Sequence, residues 1–120
     1  MVDGPLNDLQ VTFYGIASSA AWEDHLKIVQ WAVAQGANDI EWIASSAAQG
    51  GHLRIVKWAV NEGASDFNEI AAEAAQVGYF KIVKWAVKQG ANNFDWIARR
   101  ATEGGYPEIT QWVQNYQRTH

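Results

Sequence analysis

Isoleucine recurs at Ile16, Ile43, Ile70 and Ile97, always 27 residues apart, and each brings a similar segment with it. The stretch from Ile16 reads IASSAAWEDHLKIVQWAVAQGANDIEW, and that from Ile43 reads IASSAAQGGHLRIVKWAVNEGASDFNE. The third, from Ile70, is IAAEAAQVGYFKIVKWAVKQGANNFDW, and a shorter, more polar copy follows from Ile97. Backward extension aligns Phe13 with Ile40, Phe67 and Phe94, so the copies span 12–38, 39–65, 66–92 and 93–120. Residues 1–11 belong to no copy and read as a leader. A fixed period of this size means one supersecondary unit per repeat, which hides its apolar face only by stacking on its neighbours.

Each unit reads as two helices. Asp39, Asp66 and Asn93, with Thr12 at the start, are N-cap residue types placed directly before an apolar residue. Asp66-Phe67-Asn68-Glu69 adds capping-box spacing. In the first helix Phe67, Ile70, Ala71, Ala74 and Ala75 follow the helical i, i+3, i+4, i+7, i+8 pattern. Gly50-Gly51, Gly78 and Gly104-Gly105 break the chain, and Pro107 sits where a first helical turn accepts it. The second helix carries Leu53, Ile55, Val56, Trp58, Ala59 and Val60, apolar nearly all round, as for a helix wedged between neighbours. Gly36, Gly63 and Gly90 then fall at the C-cap. No strand-period alternation is present. The expected fold is all-α: an α-solenoid of about four stacked helix-turn-helix repeats. The last copy introduces Arg99, Arg100, Thr102, Thr110, Gln111 and Gln114, the polar outer face that a terminal repeat needs, so the array reads as finished at that end.

Composition narrows the function classes. The chain of 120 residues is 48% apolar and 18% charged, enough apolar material for a core. Cysteine is absent, which removes disulfides, thiol chemistry and cysteine-ligated metal, and suits an intracellular, cytoplasmic setting. No apolar run approaches a membrane span, and Met1-Val2-Asp3-Gly4-Pro5 lacks the basic start of a secretory signal. A net charge of −4 disfavours generic binding to nucleic acid or to an anionic membrane.

Gly51-His52-Leu53-Arg54-Ile55-Val56-Lys57-Trp58, followed by Gly63-Ala64, resembles the GHLEVVKLL…GAD stretch of ankyrin repeats. Ala47-Ala48 resembles that family's AA before the inter-helix turn. The period of 27 departs from the usual 33, Glu69-Ile70-Ala71-Ala72 stands in place of TPLH, and the residues that would form a β-hairpin between Ala64 and Phe67 are missing. The chain is thus similar to a short ankyrin-like variant. The resemblance implies a non-catalytic protein-interaction module, without the hairpin half of that family's binding surface.

Candidate chemistry is sparse. His25 and His52 occupy one repeat position, followed there by Tyr79 and Tyr106, with no third ligand, so no metal site is expected. Glu23-Asp24-His25 is a polar turn whose acids are lost in the next copy, and Ser18, Ser19, Ser45 and Ser46 lack an oriented base. The Gly-Gly pairs have neither the lysine nor the strand of a phosphate loop. No enzyme and no cofactor are expected.

Tryptophan divides into two groups. Trp31, Trp58, Trp85 and Trp112 recur at one position and read as core, with about 3–5 kcal/mol expected for truncating Trp58. Trp22 stands where the other copies have Gln49, Gln76 and Glu103, and Trp42 and Trp96 stand where they have Gly15 and Glu69. A position that tolerates such polar residues is not fully buried, and exposed tryptophans are frequent interface anchors. The ankyrin resemblance adds that residues just before the inter-helix glycine vary and often touch partners. The candidate partner site is therefore Trp22, Glu23, Gln49, Gln76, Val77, Arg99, Arg100 and Glu103, with Trp42 and Trp96 as a secondary surface. Ser18, Ser45, Ala72 and Arg99, beside Ser19, Ser46, Glu73 and Arg100, would complete a first-helix groove. The expected partner is a protein whose identity the sequence does not carry; the chain itself is expected to be a monomer or a weak homo-oligomer. Two alternatives are self-association through Trp42, Trp96 or the region of Phe13 and Tyr14, and an acidic or nucleic-acid partner on a ladder of Lys27, Arg54 and Lys81.

Overall fold

Capping chemistry sets where the helices start and stop. The computed structural model describes the backbone of residues 3–120 and the side chains of residues 12–120. Along it run α1 (Asp3–Trp22), α2 (Leu26–Ala34), α3 (Ile40–Gly50), α4 (Leu53–Asn61), α5 (Phe67–Val77), α6 (Phe80–Gln89), α7 (Phe94–Gly104) and α8 (Pro107–Thr119). No strand occurs among the described residues. Asp39, Asp66 and Asn93 accept the backbone N–H of Trp42, Glu69 and Trp96 at 3.2, 3.0 and 3.3 Å, each closing one orphan donor of its helix. After α2, α4 and α6 the chain turns through a 6→1 bond, in which the N–H of Ala37, Ala64 and Ala91 reaches the carbonyl of Ala32, Ala59 and Ala86 at 3.0 Å. Pro107 opens α8 at its first turn. Thr12 is a correction: α1 begins at Asp3, so this threonine lies inside a helix and caps nothing. The nine residues ahead of it belong to the same helix.

The chain divides into two compact units, one ending at Ala64 and one spanning Ser65–His120. In the first, α1 packs on α2 and α3, and α3 packs on α4. In the second, α5 packs on α6 and α7, and α7 packs on α8. Within each unit the helices named first in the repeat therefore lie side by side, each backed by its own second helix.

Burial is distributed differently from the reading of the apolar stripes. Six consecutive residues of α3, Ile43 to Ala48, are buried, as are Ile70, Ala71, Ala72, Ala74 and Ala75 of α5. The first helices form the inner layer because alanine and serine let backbones approach closely on more than one side. The second helices are not wedged between neighbours but amphipathic. In α4, Ile55, Val56 and Ala59 are buried while Arg54 and Lys57 are exposed. The repeated tryptophans share that correction. Trp31 is 50% exposed, and Trp58, Trp85 and Trp112 are only half-buried. Their rings lie at the edge of the core, against phenylalanines: Phe13–Trp31 at 5.6 Å, Phe67–Trp85 at 6.0 Å and Phe80–Trp112 at 5.8 Å, all edge-on. Lys84 adds its ammonium 4.3 Å from the Phe80 ring. In the last repeat Thr110 takes a position where other copies have valine, and its hydroxyl pairs with Thr102 at 3.0 Å and donates to the Ala98 carbonyl at 3.3 Å. The polar substitution is thus satisfied rather than left bare. No helix among the described residues is long and apolar enough to cross a membrane.

Two glycines report how tightly neighbouring helix pairs meet within each unit. A Cβ built on Gly50 would collide with the carbonyl oxygen of Trp22, and one on Gly104 with the carbonyl of Gln76. Gly15, on the same helical row as the equivalents of Gly50, faces open space. Gly50→Ala is expected to destabilise the protein by about 1–3 kcal/mol through overpacking. Gly15→Ala should stabilise it by about 0.5–1 kcal/mol, since a mid-helix glycine is replaced without a clash. Urea denaturation of the two variants beside the wild type measures both shifts, and equal effects would refute the close approach. The half-exposure of Trp58 likewise moves the expected cost of Trp58→Ala below that of Ile55→Ala, which empties a fully buried site at about 2–5 kcal/mol.

Candidate functional site

The turn between α1 and α2 is where the first unit departs from its copies. Gly51, Gly78 and Gly105 end their helices in the left-handed conformation, with φ of 81°, 90° and 87°. Asp24 holds the corresponding place with φ 67°, the one non-glycine with positive φ among the described residues. An aspartate tolerates this region better than most side chains, at some cost in strain. Here its carboxylate meets Arg54 at 3.4 Å and lies 3.8 Å from His52 Nδ1. His52 Nε2 is 2.8 Å from the Trp22 carbonyl, which can only accept, so this nitrogen carries the proton. Asp24, from the polar turn weighed as a weak catalytic candidate, and His52 thus tie α4 to the end of α1.

That clamp fixes the backbone of Trp22 while leaving its ring free. Trp22 is 54% exposed, and with Ser18, Ser19 and Glu23 it lines an open depression of about 300 Å³. Glu23 is exposed beside it, and Gln49 is half-buried. Trp42, on α3 of the same unit, is 50% exposed.

The remaining candidates belong to the second unit. Gln76, Val77, Arg99 and Glu103 are exposed, and Trp96 is half-buried. Arg100 is engaged inside the unit. Its guanidinium donates to Glu73 at 3.3 Å and to the Gln76 side chain, and its Nε lies 3.7 Å from Glu103. Of the residues read as a partner surface, Arg100 therefore engages Gln76 and Glu103 as well as Glu73. Ser45, Ser46 and Ala72 are buried, and Ser46 shares a 2.8 Å hydroxyl contact with Ser18 across the α1–α3 interface. Small residues look the same in sequence whether they floor a groove or admit a neighbouring helix, and here they admit one. Of the basic ladder, Arg54 is paired with Asp24.

Two exposed groups carried no earlier signal. Tyr79 and Tyr106 present their rings at the inter-helix turns, where the first two copies have histidine. Ile28 and Trp31 of α2 are 45% and 50% exposed, although the second copy buries Ile55 completely. Their signal was positional: they stand in the first copy. No cluster of three potential metal ligands occurs among the described residues.

Arg100→Met should cost about 1–3 kcal/mol, because it leaves the mostly buried Glu73 carboxylate without its cation. Adding Glu73→Gln should recover part of that loss. A double-mutant cycle read by denaturant unfolding checks the coupling, and additive effects would show that the pair is idle. Comparison of the chain with protein-family models, with curated proteins and with solved structures returned no match.

Proposed function

We propose that the chain is a non-catalytic protein-interaction module, an α-solenoid of four ankyrin-like helix pairs that grips a partner protein at the ends of its first helices. The observation that carries this reading is Trp22: a large apolar ring more than half exposed on a backbone held in place by His52 and the Asp24–Arg54 pair. A rigid aromatic anchor loses little entropy on binding, which is why such residues dominate interface energetics. Ser18, Ser19 and Glu23 offer polar groups at the rim of the same depression, the arrangement of an apolar centre ringed by hydrogen-bonding partners. Val77 holds the position after Gln76, as Glu23 follows Trp22, and contributes a second exposed apolar group on its own unit. The polar residues tied up around Glu73 act as scaffold for that edge rather than as contacts.

Trp22→Ala tests the reading. Its stability should stay within about 1 kcal/mol of wild type, because the ring is not core. Affinity for a captured protein partner should fall by about 2 kcal/mol, roughly thirtyfold, as for an anchor residue. Affinity capture with wild-type and variant baits, followed by calorimetry on the purified partner, reads the second number. A severe fall in melting temperature, or identical capture by both baits, overturns the proposal.

A further inference from the structure

The face through which the second helix pair receives the first can be read residue by residue. In the first unit Ser46 meets Ser18, Gly50 lies under the Trp22 carbonyl, His52 donates to that carbonyl and Arg54 reaches Asp24. Ile55 is fully buried beside them. The same positions in the first pair, 27 residues earlier, are Ser19, Glu23, His25, Lys27 and Ile28, and all five are exposed. Ile28 and Trp31 form the apolar part of this end, next to an open depression of about 490 Å³ floored by Gly15, Ser19 and Ala20. Lys27 holds the repeat position of Arg54 and is exposed.

We propose that this end of the first unit is a self-association surface, on which a second copy of the chain docks face to face, burying Ile28 and Trp31 of both copies and setting Lys27 of each against Glu23 of the other. One feature selects a second copy in this orientation. A helix pair stacked there as α3 stacks on α1 would bring a carbonyl onto the position of Gly50, and Glu23 fills that position with a side chain. Face-to-face pairing avoids that clash. It matches apolar surface with apolar surface and a cation with an anion, and a two-fold contact of this kind closes on itself instead of propagating. The surface shares Ser19 and Glu23 with the depression beside Trp22, and the two are told apart by Trp22 and Ile28, each of which borders only one of them.

Sedimentation equilibrium of the full chain over a wide concentration range tests it. The mass should rise from one chain to two and stop there. Ile28→Lys, at an exposed site that leaves the circular dichroism unchanged, should weaken dimerisation by at least about tenfold. Lys27→Glu and Glu23→Lys should each weaken it by roughly three- to tenfold, and the double exchange should restore it. Trp22→Ala should leave the dimer intact, which separates this surface from the proposed partner site. A one-chain mass at every concentration, growth beyond two chains, insensitivity to Ile28→Lys, or failure of the double exchange to restore pairing would each overturn the proposal.

Discussion

Backbone-to-side-chain-free contact between neighbouring first helices is the constraint on which the rest of the structure depends. Helices approach this closely only where side chains are small, and α3 and α5 are built almost entirely of alanine, serine and a single isoleucine along their buried lengths. The limit is reached where the carbonyl of Trp22 lies against Gly50 and that of Gln76 against Gly104. Everything larger is displaced outward: the isoleucines and valines of the second helices fill the space behind, and the tryptophans are left at the rim.

Close approach creates its own polar problem, since a helix-terminal carbonyl is pressed against a neighbour. The first unit answers it with His52, which donates to the Trp22 carbonyl, and with Arg54, which crosses to Asp24. In the second unit Arg100 crosses to the side chains of Glu73 and Gln76 rather than to the carbonyl itself. In both, the second pair sends a cation back to an acid on the first pair. A further correspondence lies at the other end of the helices. Tyr14 donates to the side chain of Asn38 at 2.8 Å, and Asn68 accepts the backbone N–H of Asn92 at 2.8 Å. These contacts join equivalent positions, Tyr14 within α1 and Asn68 at the start of α5, to the link before the next first helix. Within each unit they reinforce the same junction that the glycine permits. Partly exposed ion pairs of this kind contribute little stability on their own, so their effect here is to hold register rather than to drive packing.

Much of this was legible along the chain because it is local. The cap residues Asp39, Asp66 and Asn93 bond within three residues, and the 6→1 turns at Ala37, Ala64 and Ala91 close within five, so residue type and spacing sufficed. The exposure of Trp22 and Trp42 was legible for another reason: sister copies put glutamine, glutamate or glycine at those positions, and a buried site would not accept them. Less local features were misread. A column of serine and alanine reads equally as a groove floor or as a helix contact, and Ser46 of that column meets Ser18 across the α1–α3 interface. Arg100 read as an available cation because its acid, Glu73, lies a full repeat away.

The sequence by itself determined the pairing of helices within each repeat, the ends of all but the first helix and the positions that repeat, because these follow from capping chemistry and a 27-residue period that the chain states openly. Tertiary structure decided depth. Periodicity identifies an apolar stripe but not how far inside it lies, so Trp31, Trp58, Trp85 and Trp112 read as core and were found at its margin. It also decided what makes equivalent residues unequal. Ile28 and Ile55 occupy the same repeat position, yet one is 45% exposed and the other 0%, because burial depends on whether a neighbouring helix pair is present, a property no residue carries in its own side chain.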